Sequence, residues 1–133
     1  MLVMADVNYT EMADNTASDY FAAVRLSRQE ARDSAVSVLQ EAMAYTGSEA
    51  HKEESSTQLE VIVQTALTEA QIESLVIAKG YADCVAYVGN DGISVAVAAP
   101  EGGLKEADVA VIADIVMTQS DYSLEDIRVV EVQ

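Results

Sequence analysis

Tryptophan is absent, phenylalanine occurs once and tyrosine six times. Large rings therefore cannot dominate the interior, and the core must be built from Val, Ile, Leu, Ala and Met. A single cysteine, Cys84, excludes an intrachain disulfide scaffold. The only histidine, His51, stands beside Lys52, Glu53 and Glu54 with no nucleophile or second ligand at metal spacing, which marks a surface residue. Basic residues are scarce: seven Lys and Arg face 23 Asp and Glu, giving a formal net charge of −16. The resulting negative field repels phosphate backbones and anionic lipid, so nucleic acid is not an expected partner. The apolar start, Met1 to Met4, is far shorter than the roughly 20 residues of a membrane span. As it stands the chain is expected to be soluble, and its 133 residues suit one domain with a modest core.

Residues 1–19 have no sustained apolar period and read as a disordered leader or linker remnant, followed by a single domain over 20–133. From Tyr20 the spacing of Phe21, Val24, Ala31, Ala35, Val38, Leu39 and Ala42 predicts a long amphipathic helix stopped by Gly47. Ser48 is placed to cap a second helix, polar to Thr57 and then apolar through Leu59, Ile62, Val63 and Ala66. Thr68 with Gln71 forms a capping-box pattern, and Leu67 with Ile72 a staple, which predicts a third helix burying Ile72, Leu75 and Val76. Gly80 supplies its left-handed stop. The period then becomes two. Cys84 to Val88 and Ile93 to Ala98 read as strands of a tight hairpin across Gly89-Asn90-Asp91-Gly92. Helical spacing returns over Leu104 to Thr118, and Ile127 to Val132 is a last strand. The predicted class is α+β: two N-terminal helices precede a helix-strand-strand-helix-strand unit, whose three-stranded sheet is covered by helices on one face.

No residue pattern converges on chemistry. Cys84 at the start of an alternating strand reads as a small apolar filler. Pairs such as Glu53 and Glu54, or Asp108 and Asp114, are what so acidic a composition produces by chance. Gly102-Gly103 before a helix lacks the lysine and hydroxyl pattern of a phosphate loop, Lys105 alone not supplying it, and reads as a strand-to-helix turn. No catalytic residue, cofactor or metal is expected. The informative feature is Arg25, Arg28 and Arg32, which share one helical stripe without an acidic neighbour three or four residues away. Like charges so spaced cost about 0.2–0.5 kcal/mol per pair on an isolated helix, so compensation must come from elsewhere in the fold or from a partner. The stripe is therefore a candidate partner-binding surface. The edge of the terminal strand, with Ile127 and Val129, is a second, open to strand addition between chains.

Tyr20-Phe21 through Arg25-Leu26 to Ala31-Arg32 resembles the first helix of the stage III sporulation protein AH family. Thr68-Glu69-Ala70-Gln71 and Lys79-Gly80-Tyr81-Ala82-Asp83 resemble its later core, and Asn90 to Val95 with Asp126 to Val129 continue the likeness to the C-terminus. The resemblance implies a ring-building motif, a unit also found in type III secretion and flagellar ring proteins. It implies a structural, non-enzymatic component of the channel complex between mother cell and forespore. The implied partners are stage II sporulation protein Q, met in the intermembrane space, and further copies of the chain in a ring. Membrane anchoring is implied by the family alone, because its transmembrane helix and charged linker have no counterpart in this sequence, and residues 1–19 would be the end of that linker.

A KH-like nucleic-acid module is the alternative reading of the same element order. Its loop needs two glycines separated by two residues between helices, whereas Gly102-Gly103 lies between strand and helix with Glu101 and Glu106 nearby. Together with the net charge of −16 this disfavours it. The same charge predicts a mainly monomeric domain at dilute concentration.

Overall fold

The computed structural model describes residues 2–4, 17–45 and 49–133. In chain order the elements are strand β1 (Leu2–Met4), helix α1 (Ala17–Tyr45), helix α2 (Glu49–Ala78), β2 (Cys84–Gly89), β3 (Gly92–Ala98), α3 (Glu106–Gln119) and β4 (Ile127–Val132). The expected hairpin and terminal strand form a sheet in which β2 pairs antiparallel with β3, and β3 pairs parallel with β4. The short β1, inside the segment expected to be a leader, adds a fourth strand parallel to β4. The rest of that leader between residues 5 and 16, and the Gly47 stop and Ser48 cap, lie outside the described residues.

One expected boundary is absent. The second and third predicted helices are a single helix, α2, of 30 residues. Thr68 and Gln71 have the residue types of a capping box, but such a box acts only where the chain leaves helical geometry at the cap. No Gly or Pro stands between Glu49 and Ala78 to make it do so. The end of α2 is as the sequence predicts: Gly80 takes φ +109°, and its N–H donates to Ile77 O at 2.9 Å. By length and composition Lys52–Ala78 would suit a membrane span. Its C-terminal turns instead join the domain core, where Ile72 and Val76 are fully buried.

The sheet's alternation sends side chains to two cores. On one face Ala86, Val95, Val97, Ile127 and Val129 meet Ile72 and Val76 of α2 and Ile112 and Val116 of α3, the two helices expected there. The other face is also covered, because Phe21 at the start of α1 packs on Val85, Ala96, Val130 and Val132. Phe21 is fully buried, and the Arg25 guanidinium lies 5.8 Å from its ring centroid. Leu75, expected inside, is 38% exposed on the outer face of α2, as is Val111 on α3.

The hairpin turn is fixed by one close approach. Asn90 and Asp91 keep negative φ, and Gly92 alone takes the positive value, +139°. A Cβ at Gly92 would stand 2.1 Å from the backbone oxygen of Asp126, where the chain enters β4. Gly92→Ala must therefore part β3 from the start of β4. Its urea midpoint is expected to fall by the equivalent of about 2 kcal/mol or more, and further than that of Gly102→Ala, which meets no neighbour within 4 Å but still forces alanine to φ +87°.

Candidate interaction surface

Asp83, Glu73 and Glu69 supply the carboxylates that the arginine stripe needs. Arg25 Nη2 donates to Asp83 Oδ1 at 2.5 Å, Arg28 Nη1 to Glu73 Oε2 at 2.7 Å, and Arg32 Nη2 to Glu69 Oε1 at 2.6 Å. The second Glu69 contact, to Arg28, is 3.7 Å. Glu69 and Glu73 are one helical turn apart on α2, so two like-charged ladders on facing helices neutralise each other. The stripe thus carries no uncompensated charge that calls for a partner.

The same side chains close the outer edge of β2. Arg25 donates to Cys84 O at 3.0 Å and Arg28 to Ala86 O at 2.5 Å. In the opposite sense Ala86 N–H donates to Glu73 Oε2 at 2.8 Å, and Val88 N–H to Glu69 Oε2 at 2.9 Å. Arginine and glutamate therefore take the place a neighbouring strand would fill along Cys84, Ala86 and the N–H of Val88, which blunts this edge against recruiting another chain. The terminal strand is closed as well, since β4 lies between β3 and β1. Ile127 and Val129, expected at an open edge, are 6% and 1% exposed and point into the core, so neither is available on the surface.

Glu69 is the centre of the network. It is only 2% exposed, yet it faces two guanidinium groups and one backbone N–H, enough to compensate a buried carboxylate. Among the described residues no buried side-chain nitrogen or oxygen lacks a hydrogen-bond partner.

The remaining candidates stay apart. Among the described residues no group of three or more His, Cys, Asp and Glu is arranged to hold a metal. The side chain of His51 lies outside the described part. Glu53, Glu54 and Asp114 are exposed, while Asp108 accepts from Tyr81 Oη at 2.5 Å and from Lys105 N–H at 2.8 Å. Hydrogen bonds from Tyr81 and Lys105 hold the Asp108 carboxyl below its usual range. Gly102 and Gly103, at φ +87° and +85°, carry the turn over buried Glu131, whose Oε2 accepts from Leu104 N–H at 2.7 Å. A phosphate there would meet a carboxylate. Cys84 is buried, and burial first, with the charges of Glu73 and Asp83 second, pushes its thiol up to about 12. A thiol so held is no nucleophile at neutral pH.

Sequence reading missed a different feature, an open groove along α1 and α2. Near the sheet it is lined by Tyr20, Val24, Ala31, Ile62, Thr65 and Tyr87 and encloses about 810 Å³. It continues past the shared Val61 and Ile62 to Ala35, Val38 and Leu39. Val24, Ala31, Ala35, Val38, Leu39 and Ile62 belong to the apolar stripes read from the sequence, yet Val38 is 64% exposed, and Val61 beside Ile62 is 59% exposed. Periodicity told which side chains share a face, and nothing in it told that the face is uncovered.

The profile of the SpoIIIAH-like protein family matches residues 4–129. No curated protein matches. Of solved structures, a chain of the SpoIIQ-SpoIIIAH pore-forming complex aligns with a TM-score of 0.71 at 20% identity, over 84% of this chain and 96% of that one. The type III secretion protein EscJ of enteropathogenic E. coli aligns at 29% identity and a TM-score of 0.47, over 56% of this chain and 49% of its own.

Two outcomes test the geometry. Glu69→Ala strands the Arg32 guanidinium and the Val88 N–H while Arg28 keeps Glu73, and is expected to cost about 3 kcal/mol of unfolding free energy, against a change within about 0.5 kcal/mol for exposed Lys52→Ala. Tyr81 behaves like Cys84: burial, aided by Asp108, pushes its hydroxyl up to about 12. Both groups ionise in the unfolded chain before they do in the fold. Their contribution is therefore complete below about pH 9 and is lost as pH rises through 12. Denaturation midpoints across that range should fall accordingly, and Cys84 should resist thiol reagents at pH 8 until the chain unfolds. The match across nearly the whole domain, on a fold shared with a chain of the pore complex, identifies the protein as a member of the SpoIIIAH-like family.

Proposed function

We propose that this chain is a structural component of the channel complex between mother cell and forespore, that it binds SpoIIQ in the intermembrane space, and that copies of it assemble into a ring. The observation that carries the reading is the family match over residues 4–129. The fold supports it, because the aligned chain comes from a complex described as SpoIIQ-SpoIIIAH and is covered over 96% of its length. The role is scaffolding: Glu69, Glu73, Asp83, Glu131, the cysteine and the diglycine turn are engaged in holding the fold, and an assembly module needs a stable surface in place of a reactive centre. Membrane attachment, where it operates, is supplied by the anchor characteristic of the family. The net charge of −16 opposes the nucleic-acid alternative.

With the outer edge of β2 occupied by arginine and glutamate and β4 lying inside the sheet, ring contacts and partner contacts at these strands are made by side-chain surfaces. Purified domain mixed with the SpoIIQ ectodomain of the same organism is expected to co-elute from a sizing column as a complex, while the domain alone runs as a monomer at micromolar concentration. Separate elution of the two at every ratio would refute the partner assignment.

A further inference from the structure

Over most of the length of two long helices the groove along α1 and α2 is covered by none of the described residues. Within α1, of 29 residues, Phe21 is the buried apolar side chain, and α2 buries no apolar residue before Ile72. Two amphipathic helices laid side by side leave a furrow that only a third element can fill. From Tyr20 to Leu39 that furrow runs about 28 Å along α1, the length of roughly five helical turns. Its α1 wall carries a run of small residues, Ala23, Ser27, Ala31, Ser34 and Ala35, between the larger Tyr20 and Val24 at one end and Val38 and Leu39 at the other, and there another backbone can come close. The opposite wall offers the larger Val61 and Ile62.

Charge selects the occupant. Glu30 and Glu41 share the stripe of Ser27 and Ser34 at spacings of three, four and seven, so they form the outer rim of the α1 wall. Glu54 and Glu60 stand four before Gln58 and one before Val61 on α2. All four glutamates are exposed. The only arginines in the groove, Arg28 and Arg32, lie at its sheet end and are already paired with Glu69 and Glu73. A second copy would bring the same acidic rims against these, and its net charge of −16 adds to the repulsion.

We infer that the groove receives one amphipathic helix of a partner protein, its apolar face seated on Ala31, Ala35, Val61 and Ile62 and its flanks lined with lysine or arginine facing the glutamate rims. The inference rests on the reading of the chain as an assembly module and adds the surface and the chemistry of its partner.

The test uses the whole chain and synthetic helical peptides of about 18 residues, one with a leucine-alanine face and lysine flanks, one with glutamate flanks, and one a scramble of the first. The lysine-flanked peptide is expected to bind about tenfold or more tightly than either control, with amide shifts confined to the groove. Ala35→Trp fills exposed space and so should leave the melting curve intact while weakening that peptide about tenfold. Joint Glu30→Lys, Glu41→Lys and Glu60→Lys should transfer preference to the glutamate-flanked peptide. Equal binding of the scramble, shifts elsewhere on the domain, a dimer abolished by Ala35→Trp, or uptake by anionic vesicles in place of peptide would each overturn the inference. The SpoIIQ ectodomain separates the two proposals. If it binds wild type and the Ala35→Trp variant equally, the groove is refuted as the seat and the partner assignment stands; if it binds neither, the partner assignment fails and the peptides alone decide the groove.

Discussion

The fold turns on a carboxylate removed from water. Glu69 sits on the inner side of α2, reaches both Arg28 and Arg32 on α1, and accepts the backbone N–H of Val88. Each of those groups is undesirable on its own: a buried charge, two like charges on one helix, an open strand edge. Placed together they cancel. The network also explains why α1 stays attached, since beyond Phe21 its hold on the body of the domain comes from polar contacts with α2 and β2 more than from buried apolar area.

This arrangement clarifies how a chain of seven basic residues distributes them. Three go to the outer edge of β2, where arginine's fork can serve a carboxylate and a carbonyl at once. On the far side Leu2–Met4 covers part of β4 and is itself the sheet's edge, only three residues long. Both devices limit uncontrolled association, for which long unpaired strand edges are the usual route.

Much of the fold is legible in the sequence. The strands declare themselves by alternation and by the glycines at 89 and 92, and the end of α2 by Gly80, because these signals are local and the structure meets their demands locally. Thr68 misleads for the converse reason: its capping pattern is local, while the continuity of α2 is decided by packing of Glu69, Ile72 and Glu73 against the sheet and α1. The partners of the arginines are 37 to 58 residues away and cannot be read from neighbours. The carboxylates that the arginine stripe requires come from the fold itself, while much of the apolar stripe along α1 and α2 faces out.

One consequence follows from α2 being a single helix. Its 30 residues make a rod about 45 Å long, with the ion-pair network and the sheet core gripping one half and the open groove occupying the other. A rod without a joint has no place to absorb displacement. Tension or tilt applied to its free end reaches the edge of the sheet undiminished, so the domain is built to behave mechanically as a bracket, stiff along the direction in which it protrudes.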